Sequence, residues 1–393
     1  MTEHPTPRRV RDREAAEAGR VAFVELFYDL VFVFAITQLS HVLLHHFTPR
    51  GAVETLLLLL AVWWVWIFTT WALNWLDPEA YSVRLMLYLS MLLGLFMSMS
   101  IPEAFGGRGL AFALAFAAMQ VGRSLFTVWV LKRGAPESAR NFQRISAWLA
   151  ASGVVWIAGG LASPELRLPI WGVALAIEYL GPVFAFRTPG LGRSETSEWN
   201  VIGGHIAERC GLFVIICLGE TLLVSGATFA EVEWTGTNLA AFLVDFVSSV
   251  AMWWVYFNIG HERAAHVIEH HSDPGRVARL AFTYAHIPIV AGIVLSAVAS
   301  ELIITEPGHH ATAAQAAAIV GGPALFLAGN AWFKAVTGRF VPLSHLAGLG
   351  FLAAVAALTP ALTLLGQGML AAAVLVVVAV WELVSLRPRQ ARA

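Results

Sequence analysis

The run TLLLLLAVWWVWIFTTWALNW, residues 55–75, carries no charged side chain over 21 positions. A helix crosses a bilayer with roughly 17–25 mostly apolar residues, so this stretch reads as a membrane span. Comparable runs lie at 21–45, 82–101, 109–131, 142–162, 167–186, 205–227, 237–259, 278–303, 313–334, 341–359 and 361–385. Asp77-Pro78, Ser163-Pro164, Asp273-Pro274 and Glu306-Pro307 punctuate the gaps, and Thr359-Pro360 alone separates the last two runs. The whole chain agrees with this reading. Of 393 residues 58% are hydrophobic and 13% charged, with a mean hydropathy of +0.69, whereas a soluble domain is roughly 25% charged. Half the usual charge does not cover a water-soluble surface, which excludes a soluble enzyme, a secreted scaffold and a disordered regulator. A formal net charge of −1 provides no field for nucleic acid. The expected fold is all-α, a polytopic transmembrane bundle of about twelve spans.

Basic residues orient it. With the N-terminus inside, 21 of the 25 Lys and Arg fall in cytoplasmic segments, Arg84, Arg209 and Lys334 among them. Arg50, Arg108 and Arg167 are outside and Arg123 lies within a span. By the positive-inside rule both termini are cytoplasmic. Residues 1–20 then form a cytoplasmic tail without the apolar core of a cleaved signal peptide, and 387–393 a second tail. Lys132 and Lys334 sit at helix ends, so neither serves a retinal Schiff base. Cys210 and Cys217 share one helix about 10 Å apart, beyond disulfide reach.

The chain reads as two six-helix halves, 21–186 and 205–386, joined by a cytoplasmic linker at 187–204. Ala61-Val62-Trp63-Trp64-Val65-Trp66 matches Ala251-Met252-Trp253-Trp254-Val255-Tyr256. Asp77-Pro78 matches Asp273-Pro274, and Gly122-Arg123 matches Gly329-Asn330. Glu178 in the sixth run has a counterpart in Glu382 of the twelfth. Six is even, so the halves share an orientation, the parallel-repeat layout of many secondary transporters.

Function is expected where charge persists inside the bilayer, because each such group costs at least ~2.5–3.5 kcal/mol and needs a partner or a wet cavity. Glu25 and Asp29 are four apart, so both face one side of the first helix. Such a pair holds a proton, binds a cation or is neutralised by arginine. Arg84, Arg123 and Glu178 come from other helices of the first half and join the candidate network. Glu208, Arg209 and Glu220, with Asp245, Arg279, His286 and Glu382, form the second-half set, Glu220 following a glycine that admits close backbone approach. Arg84, Arg123 and Arg209 are the expected counter-charges, while Glu25, Asp29, Glu178, Glu208, Glu220 and Asp245 are the expected ion, proton or substrate path. Against this stands the plain alternative that Arg–carboxylate pairs pin helices together.

The segment Phe23-Val24-Glu25-Leu26-Phe27-Tyr28-Asp29-Leu30-Val31-Phe32-Val33-Phe34-Ala35 resembles the opening signature of the low temperature requirement A (LtrA) family of bacterial membrane proteins. Glu208-Arg209-Cys210-Gly211-Leu212-Phe213-Val214-Ile215-Ile216-Cys217-Leu218-Gly219-Glu220 resembles that family's second signature. The resemblance implies a multi-span protein of the bacterial plasma membrane and marks Glu25, Asp29, Glu208, Arg209, Gly219 and Glu220 as signature positions, without assigning them chemistry.

His266-Val267-Ile268-Glu269-His270 spells an inverted zinc-protease pattern, but it sits in a short polar loop without a third ligand or cleft. His41 and His45 share a helix face near the membrane interface. No phosphate-binding glycine loop, nucleophile elbow or Cys-x-x-Cys pair occurs. The sequence therefore leads to a non-enzymatic, proton- or cation-coupled secondary transporter. Its partners are the lipid bilayer and a small solute or ion, with no metal, cofactor or nucleic acid, and its oligomeric state is open. An ion channel, a membrane-embedded lipid-modifying enzyme and a cold-stress or scaffold protein are the alternatives.

Overall fold

In the computed structural model, residues 9–11, 21–196, 199, 201–258, 271, 273–338 and 340–390 are described. The His266–His270 pattern lies outside them, as do most of the N-terminal tail and the end of the C-terminal one. Each apolar run folds as a helix, because in hydrocarbon a backbone must satisfy its own hydrogen bonds. In chain order these are α1 (Phe23–His45), α2 (Pro49–Leu73), α3 (Tyr81–Ser100), α4 (Gly109–Gly134), α5 (Pro136–Leu161) and α6 (Pro164–Val183). They continue as α7 (Gly203–Glu231), α8 (Gly236–Phe257), α9 (Pro274–Thr305), α10 (Ala313–Gly338), α11 (Leu343–Ala357) and α12 (Leu364–Gln390). Pro136 and Pro164 open α5 and α6, where a missing N–H costs nothing. Thr235 caps α8, its hydroxyl accepting from the Asn238 amide at 3.1 Å.

Among the described residues, eleven helices are long and apolar enough to cross a membrane. The expected span at 341–359 is the shorter one, realised as the 15-residue α11 and a 3-10 turn at Thr359–Ala361. Helix α9 is not uniform: a π-helical turn at Arg279–Tyr284 interrupts it just before His286.

The chain divides into two compact units. The first comprises Met1–Val42, Arg50–Arg209 and Glu269–Arg276; the second comprises Leu43–Pro49, Cys210–Ile268 and Val277–Ala393. In the first, α5 packs against both α4 and α6, and α3 against α4. Helix α2 is almost wholly buried, Trp63, Trp64 and Trp66 included. Trp64 stacks on Tyr179 of α6 with centroids 3.9 Å apart, and the Tyr179 hydroxyl donates to the Leu60 carbonyl at 3.0 Å. In the second unit α9 lies along α10 and α8 against α12. Glycine makes the α9–α10 approach close: a Cβ on Gly292 would stand 2.6 Å from the Phe326 nitrogen. Trp253 and Trp254, the sequence counterparts of Trp63 and Trp64, are exposed.

Three basic residues counted toward the two membrane faces are buried. Arg209 is fully buried within α7, and Lys334 is buried within α10. Arg167 donates to the carbonyls of Gly159, Gly160 and Ala162, which end α5, and to those of Ala104 and Gly106. It thereby satisfies carbonyls that a helix end leaves without donors.

Candidate functional site

The first cluster lies in the first unit, where two helices present matched pairs four residues apart. Glu25 and Asp29 face inward from α1, and His205 and Arg209 from α7, so each pair occupies one helix face. Arg209 bridges both acids, with Nη1 3.0 Å from Glu25 Oε2 and Nη2 2.7 Å from Asp29 Oδ1. His205 Nε2 is 2.8 Å from Glu25 Oε2. Trp66 Nε1 donates to Asp29 Oδ1 at 2.8 Å, and its ring lies beneath the Arg209 guanidinium at 5.6 Å. Arg11 approaches Glu25 Oε1 at 3.5 Å. It is placed there by pairing of residues 9–11 with Trp75, Leu76 and Asp77. Glu25, Asp29, His205 and Arg209 are fully buried. Asp29 Oδ2, His205 Nδ1 and Arg209 Nε have no hydrogen-bond partner among the described residues. Asp29 and Arg209 each sit about 9 Å into their helices, while Glu25 and His205 lie one turn nearer the helix starts.

A second chain of polar groups runs through the same unit. Glu178 accepts from Ser152 at 2.7 Å, Gln120 at 2.9 Å and Trp156 at 3.1 Å. The Gln120 carbonyl accepts in turn from Arg123 at 2.5 Å. Arg123 also donates to Thr69 Oγ1 at 3.0 Å and to the Val65 carbonyl at 3.1 Å. Thr69 gives its own proton to Val65, so the Tyr28 hydroxyl, 2.9 Å away, donates to it. Arg123 therefore reaches Glu178 through an amide and does not pair with it directly. Arg84 stands apart from both clusters, ion-paired with Glu79 at the exposed end of α3. Glu208 is half-buried and accepts from the Val21 amide at 3.2 Å.

The second unit holds two further sites. Lys334 Nζ lies 2.8 Å and 2.9 Å from the Glu382 oxygens and donates to the Val255 carbonyl at 3.1 Å, with His345 beside them. Separately, Asp245 of α8 accepts from Ser225 of α7 at 2.5 Å and from Ser300 of α9. No basic side chain forms an ion pair with Asp245 among the described residues. It is 6% exposed and about 14 Å along its helix. Beside it is a cavity of about 30 Å³. Glu220 is also buried and makes no hydrogen bond or ion pair among the described residues. A Cβ at Gly219 would meet open space, so the expected close backbone approach there does not occur.

The residues singled out from sequence thus separate into distinct clusters. Arg209, grouped by sequence with Glu208 and Glu220, belongs with Glu25 and Asp29. Missing from that reading were His205, Arg11, Lys334 as a buried partner, and the serines around Asp245. His205 was detectable: it precedes Arg209 by four, as Glu25 precedes Asp29.

These features define the class, a polytopic helical membrane protein with ionisable side chains built into its interior. The sequence profile of Bacterial low temperature requirement A protein (LtrA) matches residues 20–380. "Uncharacterized protein RA0937" of Rhizobium meliloti (strain 1021) is 45% identical over 376 residues, covering 95% of this chain and 92% of that protein. The chain belongs to the LtrA family of bacterial membrane proteins. No solved structure matches it.

Proposed function

We propose that this protein is a proton- or cation-coupled secondary transporter of a small solute in the bacterial plasma membrane, with Asp245 at its ion-coupling position. The observation that carries this reading is the charge balance at Asp245. A buried carboxylate held by two hydroxyls and no basic side chain is neutralised by a proton or a bound cation, because an unpaired charge in hydrocarbon is costly. Glu25 and Asp29 with Arg209, and Glu178 with Arg123, form the second set of ionisable groups on the path. Arg84 takes no part, being paired at the surface. The duplicated six-helix layout finds support in two parallels between the units. Helix α2 packs on α6 as α8 packs on α12. A cation from the fourth or tenth helix is linked to an acid from the sixth or twelfth. The solute is moved unchanged.

The test uses membrane vesicles from cells that overexpress or lack the protein, screened with isotope-labelled amino acids, sugars and organic acids. We expect ionophore-sensitive accumulation of at least one solute, reduced at least about tenfold by Asp245→Asn. Ion conductance without accumulation would establish a channel instead.

A further inference from the structure

We infer that the cavity beside Asp245 is a binding site for one Na⁺-sized monovalent cation. This deepens the transport reading and rests on it for the site's role, although the site itself stands on its own geometry. The oxygen donors come from two helices, the Asp245 carboxylate and Ser248 hydroxyl of α8 and the Ser296 and Ser300 hydroxyls of α9, and Ile319 and Pro323 of α10 complete the wall. Ser296 Oγ is buried and has no hydrogen-bond partner among the described residues. It remains near α10 only because residue 322 is glycine; a Cβ there would stand 2.4 Å from that hydroxyl. Pro323 lacks the N–H that would take the Ile319 carbonyl in helical register, and both residues line the cavity. The Ile319 carbonyl is thus without its usual helical donor.

The hydroxyls are also placed to exchange roles. Ser300 Oγ lies 2.8 Å from the Ser296 carbonyl as well as within reach of Asp245, and Ser248 Oγ lies 2.9 Å from the Val244 carbonyl. Each proton therefore has an acceptor on its own helix when the oxygen lone pair turns to a cation. Ser225 holds Asp245 from outside the cavity at 2.5 Å and fixes the carboxylate's direction.

Charge and size select the ion. One carboxylate balances one positive charge, whereas divalent sites gather several carboxylates or keep their water. No three His, Cys, Asp or Glu side chains converge as metal ligands among the described residues, and every donor at the cavity is a hard oxygen. A cavity of about 30 Å³ has room for a monovalent cation together with about one or two waters. The remaining wall, with Met252, Ile303 and Ala371, is apolar and strengthens the field at the carboxylate.

The experiment measures ²²Na⁺ binding to the full-length protein in phosphatidylcholine nanodiscs. Saturable binding is expected, lost in Asp245→Asn and weakened about tenfold in Ser296→Ala. The serine variant removes one neutral hydroxyl and so tests the site even if the aspartate variant folds poorly. An equal concentration of K⁺ should leave the binding in place. Absence of saturable binding, binding unchanged in Ser296→Ala, or displacement by equal K⁺ would each overturn the proposal. Sodium binding without solute accumulation upholds the site and removes the transport role. Sodium-independent accumulation with no ²²Na⁺ binding does the reverse.

Discussion

At the residue scale, Arg209 controls the largest concentration of buried charge in the first unit. It neutralises Glu25 and Asp29 together, so removing it strands two carboxylates at once. Losing one member of a buried ion pair costs about 3–5 kcal/mol. Arg209→Gln is therefore expected to lower the Tm of the detergent-purified protein steeply. Adding Asp29→Asn to that variant should recover part of the loss, because one stranded charge disappears. If the double variant is no more stable than the single one, the bridge is not the stabilising contact inferred here. The acids of this cluster were legible in the sequence, since a carboxylate within an apolar run stands out. Their partner was not, because Glu25 and Arg209 lie 184 positions apart and no local spacing links them. Lys334 was misread for a related reason. It occurs near the end of an apolar run, where a charge ordinarily meets water, and only the fold brings Glu382 to it. The serines around Asp245 gave no signal, because such residues are common in membrane helices and hydrogen-bond their own backbone.

At the element scale, hydropathy located every described span, while backbone proximity followed from glycines whose roles the sequence leaves undifferentiated. Gly292 and Gly226 both interrupt apolar helices, and their surroundings differ. A Cβ on Gly292 would meet the Phe326 nitrogen at 2.6 Å and the Gly322 oxygen at 2.7 Å. Both are backbone atoms and cannot turn aside. On Gly226 it would meet nothing within 4 Å. Gly292→Ala should therefore force α9 and α10 apart, at a cost of about 1–3 kcal/mol. Gly226→Ala should be neutral or slightly stabilising, since alanine favours the helix. Thermal denaturation of the two variants side by side checks this, and equal Tm values would contradict the close approach. The π-helical turn at Arg279–Tyr284 was equally hidden. One extra residue in a turn leaves no mark on hydropathy, yet it precedes His286, whose Nε2 lies 2.7 Å from the Tyr256 hydroxyl.

At the scale of the whole molecule, the membrane topology depends on α11. Fifteen residues of helix extend about 22 Å, short of a hydrocarbon core of about 30 Å. A helix that failed to cross would leave α12 pointing the opposite way. The second unit contains its own measure of how far α11 reaches. Leu364 and Leu365 donate their backbone N–H groups to the carbonyls of His309 and Pro307, at 2.9 Å and 3.1 Å, and His310 bridges to Thr363. The turn after α11 is thus bonded to the loop between α9 and α10, at the opposite end of α10 from the start of α11. Helix α11 and the 3-10 turn at Thr359–Ala361 together cover the distance that α10 covers alone, so α11 and α12 form a hairpin with both ends on one side. By the positive-inside rule, the sequence positions Arg339, Arg387, Arg389 and Arg392 lead us to expect that side to be cytoplasmic. Cysteine labelling in intact spheroplasts decides the matter with little background, because Cys210 and Cys217 are both buried. A membrane-impermeant maleimide should modify His310→Cys and Thr359→Cys from outside, and Arg389→Cys only after permeabilisation. Labelling of His310→Cys without Thr359→Cys would mean that the turn does not reach the outer surface. Labelling of Arg389→Cys in intact spheroplasts would mean an odd number of crossings, and an even 6+6 duplication would then fail with it.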